Sequence, residues 1–175
     1  ELLAGEVRTR RVALSVEDRT GGAALRADPA QMRQLLLNLA QNALAAVEET
    51  PGGGRVLLAA ERRGPAVELV VEDNGRGIPA EDLERIFDVF YSTRKGGTGL
   101  GLAIVERIAR NHDGEVRVAS EPGRGTTVRV VLPAEGPRPT AAREEPPTPA
   151  PPPKPDPQKE RKPRPATGRG SKAAI

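Results

Sequence analysis

The segment from Gly96 to Val105, GGTGLGLAIV, places four glycines within six residues and continues directly into an apolar helical pattern. Glycine has no Cβ, so such a segment leaves backbone N–H groups open to a ligand. At the start of a helix these groups meet the positive end of the helix dipole, and the combination binds phosphate without a charged side chain. The segment therefore predicts a phosphate-binding loop that runs into a helix. A flexible linker does not explain it, because Leu100, Leu102 and Ile104 have the wrong composition for one.

Two common phosphate-binding loops do not fit this segment. A Walker loop needs Gly-Lys-Ser/Thr at its end, whereas Lys95 lies before the glycines. A dinucleotide-binding loop needs a third glycine three residues after the second and a strand before the first. Here Gly97 and Gly99 are followed by Leu102 at that position, and no strand pattern precedes them. The other motifs of the chain are therefore needed to identify the kind of site.

Apolar periodicity and turn residues predict a mixed α/β order. Asp28 supplies an N-cap oxygen and Pro29 a fixed φ at the first position of a long helix. The order predicts a sheet covered by one layer of helices rather than a βαβ repeat. The predicted strands are Val12 to Val16, Ala23 to Arg26, Arg55 to Glu61, Ala66 to Glu72, Glu115 to Ala119 and Thr126 to Leu132, and the predicted helices are Pro29 to Glu49, Pro79 to Phe87 and Gly101 to Asn111.

Two further polar motifs lie on these elements. In QLLLNLAQNALAAV, Asn38 and Asn42 are four residues apart, so they share one helix face at the edge of the apolar arc. In VEDNGRGIP, an apolar strand ends at Asp73 and a glycine-rich turn follows. Taken singly, the amides fit a hydrogen bond to a neighbouring strand and the second motif fits an ordinary turn. Each also fits a polar group that faces a cleft.

In this order and spacing the motifs closely resemble those of the ATP-binding catalytic domain of bacterial sensor histidine kinases. That domain belongs to the Bergerat-fold ATPase superfamily, which includes gyrase B, Hsp90 and MutL. The resemblance covers about Asp28 to Pro133. NLAQNA resembles the N box, EDNGRGIP the first glycine box, IFDVFYSTR the F box, GGTGLGLAIV the second glycine box and GRGTTVRVVLP the third. This resemblance implies a two-layer α/β sandwich of Bergerat type, with a mixed, mostly antiparallel sheet and one layer of helices. The interval from Ile86 to Gly99 resembles that of the NtrB-like kinases, which have a short nucleotide lid.

The resemblance implies ATP and Mg²⁺ as cofactors. Asn42 is similar to the N-box amide that binds Mg²⁺, with Asn38 helping, and neutral oxygen donors suit a hard cation that already carries phosphate charge. Asp73 is similar to the residue that accepts from the adenine N6 amine, and Thr126 to the threonine that supports that end of the pocket. The other positions that the resemblance places at ATP are Gly75, Gly77, Ile78, Phe87, Phe90, Gly97, Thr98, Gly99, Leu100, Gly101 and Leu102.

Three residues resemble participants in phosphoryl transfer. Asn38 occupies the position where Hsp90-type ATPases carry a water-activating glutamate, and since an amide cannot act as a general base we expect slow hydrolysis. Arg94 and Lys95 lie in the lid, where a cation would offset charge that develops at the γ-phosphate. Solvated loop charges explain these two residues equally well. His112 follows the end of a helix, and a histidine at this place in the family is structural rather than a phosphoacceptor.

The C-terminal quarter of the chain differs in composition from the rest. Residues 134–175 contain nine Lys/Arg, five Asp/Glu and twelve of the eighteen prolines, and their only large apolar residue is Ile175. We predict that this segment is disordered. Without it the chain is nearly neutral, so the basic pI belongs to the tail and predicts no nucleic-acid partner. The chain contains no cysteine, which excludes a disulfide framework and a thiolate metal site.

The domains that we expect are a linker remnant at 1–10, a histidine kinase-like catalytic domain at 11–133 and a disordered tail at 134–175. The resemblance implies transfer of the ATP γ-phosphoryl group to a histidine on a helical hairpin that precedes the domain, followed by relay to a response regulator. We expect a homodimer through that hairpin in the full-length protein and a cytoplasmic location, either free or below a membrane anchor. No apolar run of this chain predicts a membrane span. Two alternatives stay open, an anti-sigma-type serine kinase and a nucleotide-binding module without transfer activity.

Overall fold

Five strands and three helices make up the regular structure of the computed structural model, which describes residues 12–48, 50–93 and 97–137. In chain order they are β1 (Val12–Arg19), α1 (Pro29–Ala46), β2 (Gly54–Arg63), β3 (Ala66–Asp73), α2 (Ala80–Leu83), α3 (Gly101–Asn111), β4 (Glu115–Glu121) and β5 (Gly125–Pro133). The predicted linker at 1–10 and nearly all of the predicted tail lie outside the described residues. No helix in the described ranges is long and apolar enough to cross a membrane.

The strands form one sheet in the order β1-β2-β3-β5-β4. β1 runs parallel to β2, whereas the other three pairs are antiparallel. This confirms the predicted mixed, mostly antiparallel sheet. The register places Asp73, the last residue of β3, opposite Thr126 of β5. Two residues more than fifty positions apart in sequence are thereby neighbours at one end of the sheet.

The helices α1 and α3 pack against each other and against one face of the sheet. Alternate strand residues face them, as the two-residue period of a strand requires. The opposite face of the sheet carries a charged row in which Glu68 contacts both Arg63 and Arg129. The predicted single layer of helices is confirmed. The buried core consists of Val12, Leu35, Leu39, Ala43, Leu44, Val47, Val56, Val67, Leu69, Val71, Val105, Ile108, Ala109, Val128, Val130 and Leu132.

The helix α1 begins where the sequence predicts. The side chain of Asp28 accepts hydrogen bonds from the backbone N–H of Ala30 at 2.8 Å and of Gln31 at 3.2 Å, and Pro29 occupies the first turn. The helix ends at Ala46, earlier than the predicted Glu49, which lies outside the described residues. This end is important for the site, because the carbonyl oxygen of Ala46 accepts the N–H of Arg76 from the turn after β3.

Two predicted elements differ from the structure. Residues 23–26 were expected to form a strand, but they form none. The N–H of Arg26 bonds to Ala134 O, beyond the end of β5, and not to a strand running alongside. The helix predicted from Pro79 to Phe87 is shorter in the structure, where only α2 is helical. The chain after α2 is held by hydrogen bonds between residues three apart, which is the spacing of a turn.

Candidate functional site

A cleft of ≈ 580 Å³ lies between α1, the turn after β3, the start of α3 and the segment that joins α2 to α3. Its lining comes from separate stretches of the sequence that the fold brings together. We call one side the strand end, which comprises Asp73, Gly77, Ile78 and Thr126. We call the other side the helix end, which comprises Asn38, Asn42, Gly97, Thr98, Gly99, Leu100, Gly101 and Leu102. All of these residues line the cleft.

Asp73 is the ionisable group of the strand end. Its carboxylate accepts the backbone N–H of Gly75 at 2.8 Å and the backbone N–H of Thr126. Burial raises the pKa of Asp73 above its ordinary value of 3.8, and these two hydrogen bonds oppose the rise. A carboxylate has more acceptor sites than two N–H groups occupy. The side chain can therefore accept a further hydrogen bond from a ligand in the cleft.

The turn that carries Asp73 is fastened to its neighbours. The side chain of Asn74 accepts the N–H of Arg55 at 2.6 Å and donates to the carbonyl oxygen of Gly53 at 3.2 Å, which ties the turn to the start of β2. On the other side, Gly77 has a φ of +69°, and a Cβ there would lie 2.1 Å from the carbonyl oxygen of Glu121. Only glycine fits that approach. The strand end is thus held by backbone packing and amide hydrogen bonds.

At the helix end, the two asparagines of α1 face the beginning of α3. A Cβ on Gly101 would lie 3.3 Å from Asn42 Nδ2 and 3.5 Å from the Oδ1 atoms of both asparagines. The Asn38 amide nitrogen donates to the backbone oxygen of Gln34 at 2.8 Å, which turns its oxygen away from that bond. The first-turn N–H groups of α3 have no side-chain cap at Leu100. Amide oxygens and uncapped N–H groups therefore lie on opposite sides of one narrow space.

The backbone before α3 adopts conformations that favour glycine. Gly99 has a φ of +66°, and a Cβ there would lie 2.4 Å from the backbone carbon of Phe90. The N–H of Phe90 bonds to the Gly99 carbonyl oxygen at 3.0 Å, which holds these two parts of the connection together. Phe90 itself has a φ of +68°, an uncommon conformation for a residue with a side chain.

Five of the residues predicted at the site lie elsewhere or outside the described residues. Gly75 does not line the cleft; its N–H supports Asp73 from behind. Phe87 is half-buried and does not line it either, and Phe90 is 78% exposed, so the position at ATP that the resemblance gives them stays a prediction. Arg94 and Lys95 lie outside the described residues.

Two residues that the sequence did not single out, Tyr91 and Arg76, line the cleft, and Asp82 and Arg85 contact Tyr91. Tyr91 lines the cleft and donates from its hydroxyl to Asp82, and this hydrogen bond raises the pKa of Tyr91. The Arg85 guanidinium lies 4.2 Å from the centroid of the Tyr91 ring. The sequence does contain a signal for Tyr91. In the FYSTR stretch it is the aromatic residue next to Phe90, at the end of the turns that follow α2.

A sequence match over the elements that form the cleft shows which family the chain belongs to. Residues 27–136 match the family described as histidine kinase-, DNA gyrase B-, and HSP90-like ATPase. The chain belongs to this ATPase family. The matched range covers α1, β2 to β5 and every described residue of the cleft.

Relatives of this ATPase domain are named kinases. It is 45% identical over 121 residues to the sensor-like histidine kinase SenX3 of Mycobacterium tuberculosis, a match that covers 62% of this chain and 29% of SenX3. It is 40% identical over 114 residues to sporulation kinase C of Bacillus subtilis, covering 65% of this chain and 26% of that protein. The chain therefore spans less than a third of either relative.

Solved structures place the fold in the same group. The catalytic domain of the histidine kinase ThkA superposes with a TM-score of 0.68 at 29% identity, covering 76% of this chain and 86% of that one. Full-length ShkA in complex with AMPPNP gives a TM-score of 0.68 at 32% identity, covering 75% of this chain and 27% of that one. The described domain is an ATP-binding catalytic domain of the histidine kinase type.

The single histidine of the ATPase domain has a structural environment. His112 is 4% exposed and lies at the C-terminal end of α3. Its Nε2 accepts the backbone N–H of Asp28 at 3.2 Å, so Nδ1 carries the proton and donates to the carbonyl oxygen of Ile108 at 2.8 Å. Both ring nitrogens are thus engaged: Nδ1 bonds within the end of α3, and Nε2 joins that end to the start of α1.

Proposed function

We propose that the cleft binds ATP with the adenine at the strand end and the phosphates at the helix end. The observation that carries this proposal is the position of Asp73, a half-buried acceptor already fixed by two backbone N–H groups. The adenine 6-amino group donates hydrogen bonds, whereas guanine carries an acceptor oxygen at the same position. A fixed carboxylate therefore favours adenine.

The helix end supplies complementary groups for a triphosphate. The uncapped N–H groups at the start of α3, next to Gly99 and Gly101, face negative oxygen atoms with the positive end of the helix dipole. Their attraction needs no side chain, which agrees with the glycine-rich composition of the segment. Thr98 adds a hydroxyl group at the rim.

The residues at the helix end also fit Mg²⁺ that arrives with the nucleotide. Within the described ranges, no three His, Cys, Asp or Glu side chains cluster as a metal site would. Asn42 and Asn38 offer neutral amide oxygens, which suit a magnesium ion whose charge is already offset by phosphate. When bound, the ion neutralises charge on the β- and γ-phosphates during transfer. Asn42 would hold the ion, and the Asn38 oxygen, whose amide nitrogen is already bonded to Gln34, would be a second ligand.

We propose that the domain donates the γ-phosphoryl group to a histidine of a helical hairpin in the same or a partner protein. The acceptor is not His112, because both of its ring nitrogens are engaged in the core. The relatives named sensor histidine kinases support a response regulator as the later recipient and a homodimer through the hairpin. ATP is a cytoplasmic nucleotide, and we place the domain in that compartment. Arg94 and Lys95 remain candidate cations near the γ-phosphate.

Labelling with γ-³²P ATP tests the transfer. The chain with Mg·ATP alone should acquire no acid-labile phosphate, and adding the phosphoacceptor hairpin of a sensor histidine kinase should give label that is stable to base and lost in acid. Asn42→Ala should suppress this label, whereas Arg33→Ala, on an exposed position of the same helix, should not. Self-labelling of the chain that His112→Gln abolishes would contradict the proposal, and acid-stable label on a serine would replace it with a serine kinase.

A further inference from the structure

Ser120 lies behind the strand end, at a point where three pocket-forming segments meet. It is near the end of β4 and opposite Thr126 of β5 in the sheet register. Its hydroxyl oxygen lies 2.8 Å from the backbone nitrogen of Ile78, 3.0 Å from the carbonyl oxygen of Gly125 and 2.9 Å from Thr126 Oγ1. Ser120 is half-buried and does not itself line the cleft, whereas Ile78 and Thr126 do.

The chemistry of these three contacts fixes the direction of each hydrogen bond. A serine hydroxyl has one hydrogen and two lone pairs. The N–H of Ile78 can only donate, so it takes one lone pair of Ser120. The carbonyl oxygen of Gly125 can only accept, so it takes the hydrogen. The remaining contact then requires Thr126 to donate its hydroxyl hydrogen to the second lone pair of Ser120.

This direction determines what Thr126 can offer to a ligand. Because its hydrogen is engaged with Ser120, the Thr126 oxygen has only lone pairs left and can act only as an acceptor. Thr126 is 8% exposed and lines the cleft beside Asp73, whose carboxylate accepts the Thr126 backbone N–H. The strand end therefore presents two adjacent acceptors, one charged and one neutral.

We propose that Ser120 is a positioning residue that keeps the Thr126 hydroxyl an acceptor and so contributes to the selection of ATP over nucleotides with a 6-oxo group. The 6-amino group of adenine donates to such a site, whereas the 6-oxo group of inosine or guanine meets it acceptor to acceptor. Removing Ser120 frees the Thr126 hydroxyl to rotate and donate, which relieves that mismatch. The inference rests on the proposed placement of adenine at the strand end.

The affinities of the chain for ATP and for inosine triphosphate test the proposal, measured by displacement of a fluorescent ATP analogue. Ser120→Ala should lower the preference for ATP over inosine triphosphate by about fivefold, the size of one hydrogen bond. Ser120→Thr retains the hydroxyl and should retain the preference. Thr127→Val should also retain it, because Thr127 pairs with Glu72 and Ala119 on the opposite face of the sheet.

A preference that stays unchanged in Ser120→Ala would overturn the proposal, even if both affinities fall, since an equal loss means that Ser120 only supports the fold. A loss of preference in Ser120→Thr would overturn it as well. If Ser120→Ala does not fold, the affinities for ATP and inosine triphosphate are measured for Ser120→Cys, whose slightly larger thiol is a poor hydrogen-bond partner. Failure of the unmodified chain to bind ATP contradicts the proposed function, whereas ATP binding with an unchanged preference contradicts only the role of Ser120.

Discussion

The strand end and the helix end of the cleft are held in place by different interactions. At the strand end, Asp73 and the adjoining residues Asn74 and Ser120 are joined by hydrogen bonds to backbone groups of β2, β5 and the turn after β3. At the helix end, the first N–H groups of α3 have no side-chain cap, and the backbone reaches positive φ at Phe90 and Gly99. Phe90 and Val89 leave 78% and 58% of their surface exposed beside it.

This difference indicates how the two ends work. A site whose polar groups already have protein partners keeps one geometry and selects a ligand by its hydrogen-bond pattern. A site with uncapped N–H groups is completed by the ligand, and exposed apolar residues mark a segment of low local stability. We therefore expect the strand end to set which base binds, and the helix end to respond to the phosphates.

The largest expected effect is that of Asp73→Asn. An amide in place of the carboxylate presents N–H groups to the adenine amine, and we expect about 100-fold weaker ATP binding, as for a site built to accept that meets a donor. Calorimetry with a non-hydrolysable ATP analogue measures it. A folded variant that binds as tightly as the unmodified chain would remove Asp73 from the adenine site.

The same variant should not lower the stability of the apo domain. Because burial raises the pKa of Asp73, the ionised form is less favourable in the folded state than in the unfolded one. This contribution lowers the free energy of unfolding as the pH rises from below 3.8 through the raised pKa of Asp73. Asp73→Asn lacks this contribution, so its melting temperature relative to the unmodified chain should rise over that interval. A relative melting temperature that falls with rising pH would show the opposite environment.

Asn42→Ala should affect the helix end of the cleft and leave the strand end unchanged. Loss of the amide should weaken Mg·ATP binding on the order of tenfold, the cost of one hydrogen bond or ligand contact to a charged group, while adenosine affinity stays the same. Arg33→Ala, an exposed position on the same helix, serves as the control. If adenosine affinity falls by the same factor as that of Mg·ATP, Asn42 supports the whole pocket rather than its helix end.

A smaller effect is expected for Gly99→Ala. The new Cβ would meet the backbone of Phe90 at 2.4 Å in a conformation with a φ of +66°. Strain of this kind costs about 1–3 kcal/mol, and we expect a several-fold loss of ATP affinity with no change for adenosine. Gly123→Ala is a matched control, because Gly123 has a φ of +76° but open space around its Cβ position. Equal losses of ATP affinity in the two variants would show that φ strain alone, at any site, is responsible.

The smallest effect is expected for removal of residues 138–175. The segment is rich in proline and charged residues and poor in the apolar residues that a docked segment needs. Its deletion should leave the melting temperature and the ATP affinity of the domain unchanged, as measured by calorimetry. A clear drop in either quantity would show that the segment packs on the domain.

The sequence predicted the parts of the fold that local chemistry determines. The Asp28 and Pro29 pair marks the start of α1, and the glycine segment marks the start of α3 at Gly101, both as observed. The parallel pairing of β1 with β2 was not predicted, since it joins strands separated by a whole helix and no local signal reports it. The prediction of a strand at 23–26 was wrong. Gly21 and Gly22 precede this segment, and its hydrogen bond from Arg26 to Ala134 is a single contact, so no neighbouring strand pairs with it.

In the candidate site, too, the residues in contiguous motifs were predicted and those that depend on long-range contacts were not. Asp73 and the glycines stood out because their motifs are contiguous in sequence, and the structure brings Asp73 beside Thr126 as the β3–β5 register requires. Ser120 and the Tyr91–Asp82 pair did not stand out. Their significance depends on hydrogen bonds between segments whose contact is set by packing, such as Ser120 with Ile78, 42 positions apart in sequence. A sequence pattern carries no distance of that kind.

The most direct test of the two-ended cleft is a backbone amide NMR titration, first with adenosine and then with Mg²⁺ and a non-hydrolysable ATP analogue. Adenosine should shift the resonances of Gly75, Gly77 and Thr126 and leave those of Gly99 and Gly101 in place. The analogue with Mg²⁺ should then shift Gly99 and Gly101, because only the phosphates reach the start of α3. Shifts of Gly99 and Gly101 with adenosine alone, or no response of Thr126 to either ligand, would contradict this arrangement.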